Sequence, residues 1–254
     1  MTEITLSVQG LSRNFGRRHA LATMDLELVR GEVLGFLGPN GAGKSTTMNM
    51  LTGNLAPSAG NIRICGVDML AEPQAAKMHF GYLPETPPLY RELSVDEYLM
   101  LAAKLHRVLP AQRAAMINAS KQRCGLSEVG KRLIGTLSKG YQQRVGIAQA
   151  IIHQPDVVIL DEPSVGLDPN QMRDIRSLIR DLRTAADGLC SVILSTHILA
   201  EVENICDRII ILHHGRIVFA DTMVAIKQSQ QSLEDLFVSL THPASGNQPR
   251  INTD

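Results

Sequence analysis

The chain has 254 residues, and its 25 Lys and Arg balance 25 Asp and Glu, so the formal net charge is zero with His neutral; this argues against a strongly basic nucleic-acid platform, and no nucleic-acid partner is expected. At 44% hydrophobic residues the chain carries enough apolar material for a packed core and is not a disordered polymer. The longest uncharged run, 45–62, is broken by Asn, Thr, Ser, Gly and Pro, and the most apolar run, 189–200, is far shorter than the roughly 20 residues of a spanning helix; with no basic-then-apolar leader, a soluble intracellular chain is expected.

Ile4, Leu6 and Val8 alternate with polar neighbours, as do Leu26 and Leu28 ahead of Gly31, and both patterns predict half-buried strands of an antiparallel layer. Residues 33–37 form a more continuous apolar run that ends in a glycine-rich turn. Between 93 and 123 there is no strand-like run. There Ser94-Val95-Asp96-Glu97 is a capping box, and Tyr98, Leu101, Ala102 and Leu105 follow at helical spacing. Pro110 suits the opening of a second helix and Gly125 its left-handed end. The runs 157–160, 192–194 and 209–212 each follow a helical-period segment, which is the alternation of a parallel sheet covered on both faces. A hairpin at His214-Gly215 then leads into 217–219. Leu233, Leu236, Phe237 and Leu240 predict a short helix before a polar tail, 241–254, that is expected to be disordered. Cys65, Cys124, Cys190 and Cys206 form no C-x-x-C pair and are expected to be buried reduced thiols rather than metal ligands.

Gly38-Pro39-Asn40-Gly41-Ala42-Gly43-Lys44-Ser45-Thr46 fits G-x-x-x-x-G-K-[ST] directly between a predicted strand and a helical segment. The glycines let the backbone curl so that successive N–H groups face phosphate oxygens. Lys44 adds positive charge near the β- and γ-phosphates, and Ser45 offers its hydroxyl to Mg²⁺. Asp161-Glu162 ends the buried run at 157–160, where a doubly wound sheet binds ligands; Asp161 can hold Mg²⁺ through water and Glu162 can polarise an attacking water. These two motifs identify a P-loop NTPase. They do not say what hydrolysis drives.

Ser138-Lys139-Gly140-Tyr141 follows Leu137 and opens a helical segment, with Ser138 as N-cap and Gly140 allowing close backbone approach. Placed between the phosphate loop and Asp161-Glu162, this stretch resembles the signature sequence of ATP-binding cassette (ABC) ATPases. The commonest form there is L-S-G-G-Q; this chain keeps Ser138 and Gly140 and has Lys139 and Tyr141 at the other two places. The resemblance extends over about 1–225 and resembles most the ATPase subunits of bacterial ABC-2-type exporters, with the gliding-motility and multidrug-export subgroups nearest in character.

The resemblance implies an α/β fold: a RecA-like P-loop NTPase core with a mostly parallel sheet, an N-terminal antiparallel β layer and an inserted α-helical subdomain. The ABC ATP-binding domain would span 1–225, with core 1–87 and 150–225 and helical subdomain 88–149, followed by a short C-terminal helix and polar tail at 226–254. Phe15 would stack on the adenine of ATP, and Asp168, in Ser164-Val165-Gly166-Leu167-Asp168, would sit in a loop that crosses between subunits. Glu162 and His197 would be catalytic, and Ser45, Glu85 and Asp161 would serve Mg²⁺. Glu85 stands where the family usually has Gln, which adds a negative charge beside the phosphates.

The family's mechanism implies a head-to-tail dimer, homodimeric or heterodimeric, in which the Ser138–Tyr141 stretch of one subunit faces ATP on the other. It also implies a separate membrane-spanning permease docking between residues 85 and 98, with Glu85 and Tyr98 at the ends of that segment and Leu89 and Tyr90 as apolar anchors. The chain would then be peripheral, on the cytoplasmic face of the inner membrane. Three other readings stay open: a non-transport ABC ATPase of a soluble or nucleic-acid machine, a small-molecule P-loop kinase, and a nucleotide-gated binding module without turnover.

Overall fold

The structure, a computed structural model, describes residues 3–183, 190–229 and 231–241. The chain opens with β1 (Ile4–Phe15) and β2 (Arg18–Val29), an antiparallel pair, then β3 (Val33–Leu37), the phosphate-loop turn and α1 (Lys44–Leu51). It returns to the antiparallel layer as β4 (Ala59–Ile64) and β5 (Val67–Asp68), which complete a four-stranded sheet of order β2-β1-β4-β5. After α2 (Pro73–Ala76) and β6 (Phe80–Leu83) come α3 (Val95–Leu105), α4 (Pro110–Arg123) and α5 (Lys139–Ile151). The chain then alternates β7 (Val157–Asp161), α6 (Pro169–Arg183), β8 (Ser191–Thr196), α7 (Leu199–Ile205) and β9 (Arg208–His213). It finishes with β10 (Arg216–Thr222), α8 (Met223–Gln228) and α9 (Leu233–Thr241).

The second sheet has the order β10-β9-β3-β8-β7-β6, parallel except for the antiparallel edge strand β10. Its strands read as continuous apolar runs because both faces are covered. In β3, Val33 and Leu37 join a cluster with the helical layer, whereas Leu34 and Phe36 join a cluster with the antiparallel layer and α1. Strand β7 divides in the same way, Val158 and Leu160 against Val157 and Ile159. Each such side chain, fully withdrawn from water, contributes about 1.5–3 kcal/mol.

The local helix signals hold. Ser94 and Glu97 satisfy each other's backbone donors at the start of α3, at 2.8 Å and 3.3 Å, and Pro110 opens α4. Gly125 lies at φ +65°, just past the end of that helix. Among the described residues no helix is long and apolar enough to cross a membrane.

Several expectations need correction. Ile4 does not share the buried face of Leu6 and Val8: it is 43% exposed, because a bulge between Ile4 and Leu6 turns Thr5 inward instead. The Thr5 hydroxyl there donates to Ser191 Oγ at 2.9 Å. Strands β4, β5 and β6 have no counterpart among the predicted elements. In β4 only Ile62 and Ile64 are buried, and β6 is four residues long. A Cβ at Gly81 in β6 would lie 1.8 Å from the Ala150 carbonyl oxygen, so α5 reaches this edge of the sheet only because the side chain is missing.

Helix α5 runs through the division expected at 149–150, and α8 through that expected at 225–226. Cys124, Cys190 and Cys206 are buried free thiols as expected, but Cys65 is half-buried. Burial pushes the Cys124 and Cys190 thiols up to about 12. The expected disorder of 241–254 falls, Thr241 apart, outside the described residues.

Candidate functional site

The phosphate-loop motif lies at the C-terminal end of β3, between neighbours β8 and β9, which is the crevice where open α/β sheets bind ligands. Gly41 and Gly43 adopt φ +79° and +112°, conformations open to glycine, and turn the chain into α1. A second turn braces the loop: Gly215 N donates to Ala42 O at 2.9 Å, and Ala22 N donates to Gly215 O at 2.7 Å. The His214-Gly215 hairpin, legible in the sequence only as the end of a sheet, thus belongs to the site.

A cleft of about 600 Å³ opens over the loop. Of the motif, Asn40, Gly41, Gly43, Lys44, Ser45 and Thr46 line it; Glu85, Glu162 and His197 join them from other segments. Gly38 and Ala42 are buried beneath, Pro39 half-buried. Val165, from the loop expected to cross between subunits, also lines the cleft, as do Arg18, His19, Ala20 and His214, which belong to no recognised motif. Phe15 does not line it. That ring is 48% exposed at the end of β1, with the Arg13 guanidinium 4.5 Å from its centroid, while its cross-strand partner Arg18 faces the cleft.

Lys44 is only 6% exposed, and its ammonium is turned back on the loop, donating to Gly38 O at 2.8 Å. It also stands 3.4 Å from Glu162 Oε1. The other oxygen of Glu162 meets His197 Nδ1 at 2.9 Å. A backbone bond from Glu162 N to Ser195 O, at 2.8 Å, ties strand β7 to β8 just where these side chains converge. Glu162 itself sits at φ +49°, a left-handed conformation costly for a residue with a Cβ, which fits a side chain held in place for a task.

Asp161 is 3% exposed, and its Oδ1 has no hydrogen-bond partner. Burial raises its pKa above the usual carboxylate value; the Ser195 and Ser45 hydroxyls beside it pull the other way, and the charges of Glu162 and Glu85 add to the rise. An unsatisfied buried carboxylate beside a serine hydroxyl is a donor set that a hard divalent cation would complete. Glu85 is exposed and borders both the main cleft and a neighbouring hollow of about 430 Å³ that Leu89, Arg91 and Lys139 help to line.

The other expected residues lie elsewhere. None of Ser138, Lys139, Gly140 and Tyr141 lines the cleft of its own chain. Ser138 caps α5, accepting from Tyr141 N at 3.4 Å, and is exposed. Tyr141 is 39% exposed with the Arg144 guanidinium 5.9 Å from its ring. A Cβ at Gly140 would lie 2.5 Å from Gln171 Oε1, the far end of a flexible side chain of the same chain. The Asp168 side chain caps α6, accepting from the Asn170 and Gln171 backbone N–H groups at 3.0 Å each.

Comparison with known proteins bears on these observations. A family model described as ABC transporter matches residues 21–165, more than half of the chain. An AAA-domain model matches only 130–203, without the phosphate loop. The chain is 35% identical over 240 residues to the uncharacterized ABC transporter ATP-binding protein YdbJ of Bacillus subtilis, covering 94% of this chain and 75% of that one. It is 33% identical to the daunorubicin resistance ATP-binding protein DrrA3 of Streptomyces coeruleorubidus, covering 89% and 71%. A solved structure of an ATP-binding subunit of an ABC transporter, 34% identical, superposes with a TM-score of 0.82 over 93% of this chain and 99% of that one.

Proposed function

The chain belongs to the ABC transporter ATP-binding family and is an ATPase, and from that premise we propose that it powers an ABC-2-type membrane exporter by closing head to tail on a second ATPase subunit around ATP. The observation that carries this reading is the Glu162 carboxylate held between Lys44 and His197 beside the phosphate loop. Phosphate oxygens would replace the Gly38 carbonyl as the partner of Lys44, drawing the ammonium away from Glu162. The freed carboxylate would then orient a water toward the γ-phosphate and take its proton, with His197 holding Glu162 through Nδ1.

Ser45 and Asp161 would hold Mg²⁺, with Glu85 at the rim. When bound, the ion supplies charge neutralisation on the phosphates. Phe15, exposed across the strand pair from Arg18, which lines the cleft, would have to turn toward the cleft to stack on the adenine.

The exposure of Ser138 and Tyr141, away from their own cleft, supports their use on the nucleotide of a partner subunit, with Asp168 in the crossing loop. Such a partner is a second copy or a related ATPase. Division into a core of 1–87 and 150–225 and a helical subdomain of 88–149 is part of the same reading. A separate permease would dock in the groove between the core and this segment, near Glu85 to Tyr98. Tyr90 is 52% exposed there, its ring 6.2 Å from that of the buried Tyr98, and offers an apolar anchor. The chain would thereby be held at the cytoplasmic face of the inner membrane. Export, rather than import, is favoured by the similarity to a drug-resistance ATPase.

Glu162→Gln tests the reading. It keeps the side chain's size and removes its basicity, so ATP binding should persist while turnover falls to near background and ATP-dependent dimers accumulate on size-exclusion chromatography with light scattering. Normal turnover would remove Glu162 from its role. A chain that stays monomeric with ATP, or that purifies from detergent-solubilised membranes without any membrane protein, would favour a non-transport ATPase.

A further inference from the structure

At the end of the parallel sheet opposite the nucleotide cleft, three side chains with metal-ligating atoms meet. Asp156 immediately precedes β7, His79 immediately precedes β6, and Cys65 stands in the turn between β4 and β5. Cys65 Sγ, His79 Nδ1 and an Asp156 carboxylate oxygen all lie within 4.8 Å of one another, and no other such group occurs among the described residues. His79 Nδ1 and Asp156 Oδ2 are 2.8 Å apart. We propose that Cys65, His79 and Asp156 form a binding site for a thiophilic divalent cation of the Zn²⁺ class, with three protein ligands and one position open to water.

Sulfur, imidazole nitrogen and carboxylate oxygen are the donors Zn²⁺ takes, and three protein ligands with an open place is one of its standard coordination sets. Metal–ligand bonds of about 2.0–2.3 Å put tetrahedral ligand atoms roughly 3.5 Å apart. His79 and Asp156 would therefore open slightly, and Cys65 would close in by no more than about an ångström. Binding displaces the Cys65 thiol proton and any proton on His79 Nδ1, leaving the ring proton on Nε2. The thiolate and carboxylate then balance the cation's charge.

The surroundings are also those of a ligand set. The second oxygen of Asp156 is already held by Arg30 Nη2 at 2.9 Å, and Arg30 by Glu3 at 2.6 Å and 2.7 Å. Outer partners of this kind orient a ligating carboxylate. The side chains of His79 and Asp156 are 37% and 31% exposed, so an ion can enter.

Cys65 supplies a further argument. It lies at φ +48° and is followed by Gly66 at φ +80°, the two central residues of a tight hairpin turn. The first of these places favours Asn, Asp or Gly, and a cysteine there is sterically costly. Cys65 is only half-buried, packing partly against the core of the antiparallel layer. A bound ion would join the antiparallel layer to the residues just ahead of two strands of the parallel sheet, stiffening the contact between layers without touching the cleft.

The test uses the full chain, stripped with a chelator and titrated with Co²⁺. One equivalent should produce a thiolate-to-cobalt charge-transfer band, which Zn²⁺ abolishes. Cys65→Asn removes the sulfur and suits the left-handed turn, so this variant should fold, lose the band, and melt at a temperature that Zn²⁺ no longer raises. His79→Ala should weaken Co²⁺ binding at least tenfold. ATP affinity should be unchanged in both variants, which separates this site from the nucleotide site. Absence of the band in the wild-type chain, or its persistence in Cys65→Asn, overturns the proposal.

Discussion

Asp161→Asn should make the nucleotide-free chain more stable while destroying its turnover. The carboxylate is 3% exposed, its Oδ1 lacks a partner, and the equally buried Glu162 carboxylate is its neighbour in the chain. Leaving a buried polar group unsatisfied costs about 1–3 kcal/mol. An amide of the same shape removes the charge and can donate to the Ser45 or Ser195 hydroxyl, so recovery of about 1–2 kcal/mol is expected. For a chain of this size that raises the melting midpoint by roughly 2–8 °C.

The pH dependence gives the sign. Burial raises the pKa of Asp161, so the folded chain binds this proton more readily than the unfolded chain. The associated stability is complete below the unfolded value and is lost as pH rises through the folded one. The advantage of the amide is therefore largest at neutral pH and shrinks on acidification. Differential scanning calorimetry in EDTA, without nucleotide, at neutral and mildly acidic pH measures both. A variant no more stable than wild type at neutral pH, or a gap that widens in acid, would refute the reasoning.

Lys44→Ala should weaken ATP binding about 10- to 100-fold, the value of a charge-assisted hydrogen bond of about 1.5–3 kcal/mol, as read by isothermal titration. Glu85→Gln should retain measurable ATPase activity and need less Mg²⁺ for half-maximal rate, because one negative charge leaves the cleft; complete loss of activity would give the carboxylate a role Gln cannot fill. His153 stacks on His106 with ring centroids 3.8 Å apart, and burial holds its pKa down to about 3. A depressed value means stability present above about 6.5 and lost as pH falls towards about 3. Each pH unit in that window costs up to about 1.4 kcal/mol. His153→Gln should flatten the acid limb of a urea-midpoint against pH curve, and an unchanged limb would remove this histidine from the account.

The elements that were legible in the sequence depend on neighbours within one turn of helix or a few residues of strand. Ser94 and Glu97 are three residues apart, Gly125 ends its own helix, and the apolar run of β3 follows from burial on both faces. The phosphate loop belongs with these, because its geometry comes from glycines and backbone N–H groups that are adjacent in the chain. Strand β6 was missed because four residues with a glycine carry almost no periodic signal, and Gly81 makes sense only once the Ala150 carbonyl is seen above it. Ile4 and Thr5 exchanged places through a bulge, a feature that alternation alone cannot reveal.

By itself the amino-acid order determined the cradle for phosphate, the caps, the buried runs and the order of motifs along the chain. Which strands lie side by side was decided only by the tertiary structure, since hydrogen bonding in a sheet pairs segments without regard to their separation in sequence. That arrangement brings Lys44, Glu162 and His197 within 3.4 Å contacts across more than a hundred residues, and sets the His214-Gly215 turn against the phosphate loop. It also gathers Cys65, His79 and Asp156 from the turns and strand starts flanking two different sheets. Local spacing sets what a segment can become; packing between distant segments sets which side chains meet.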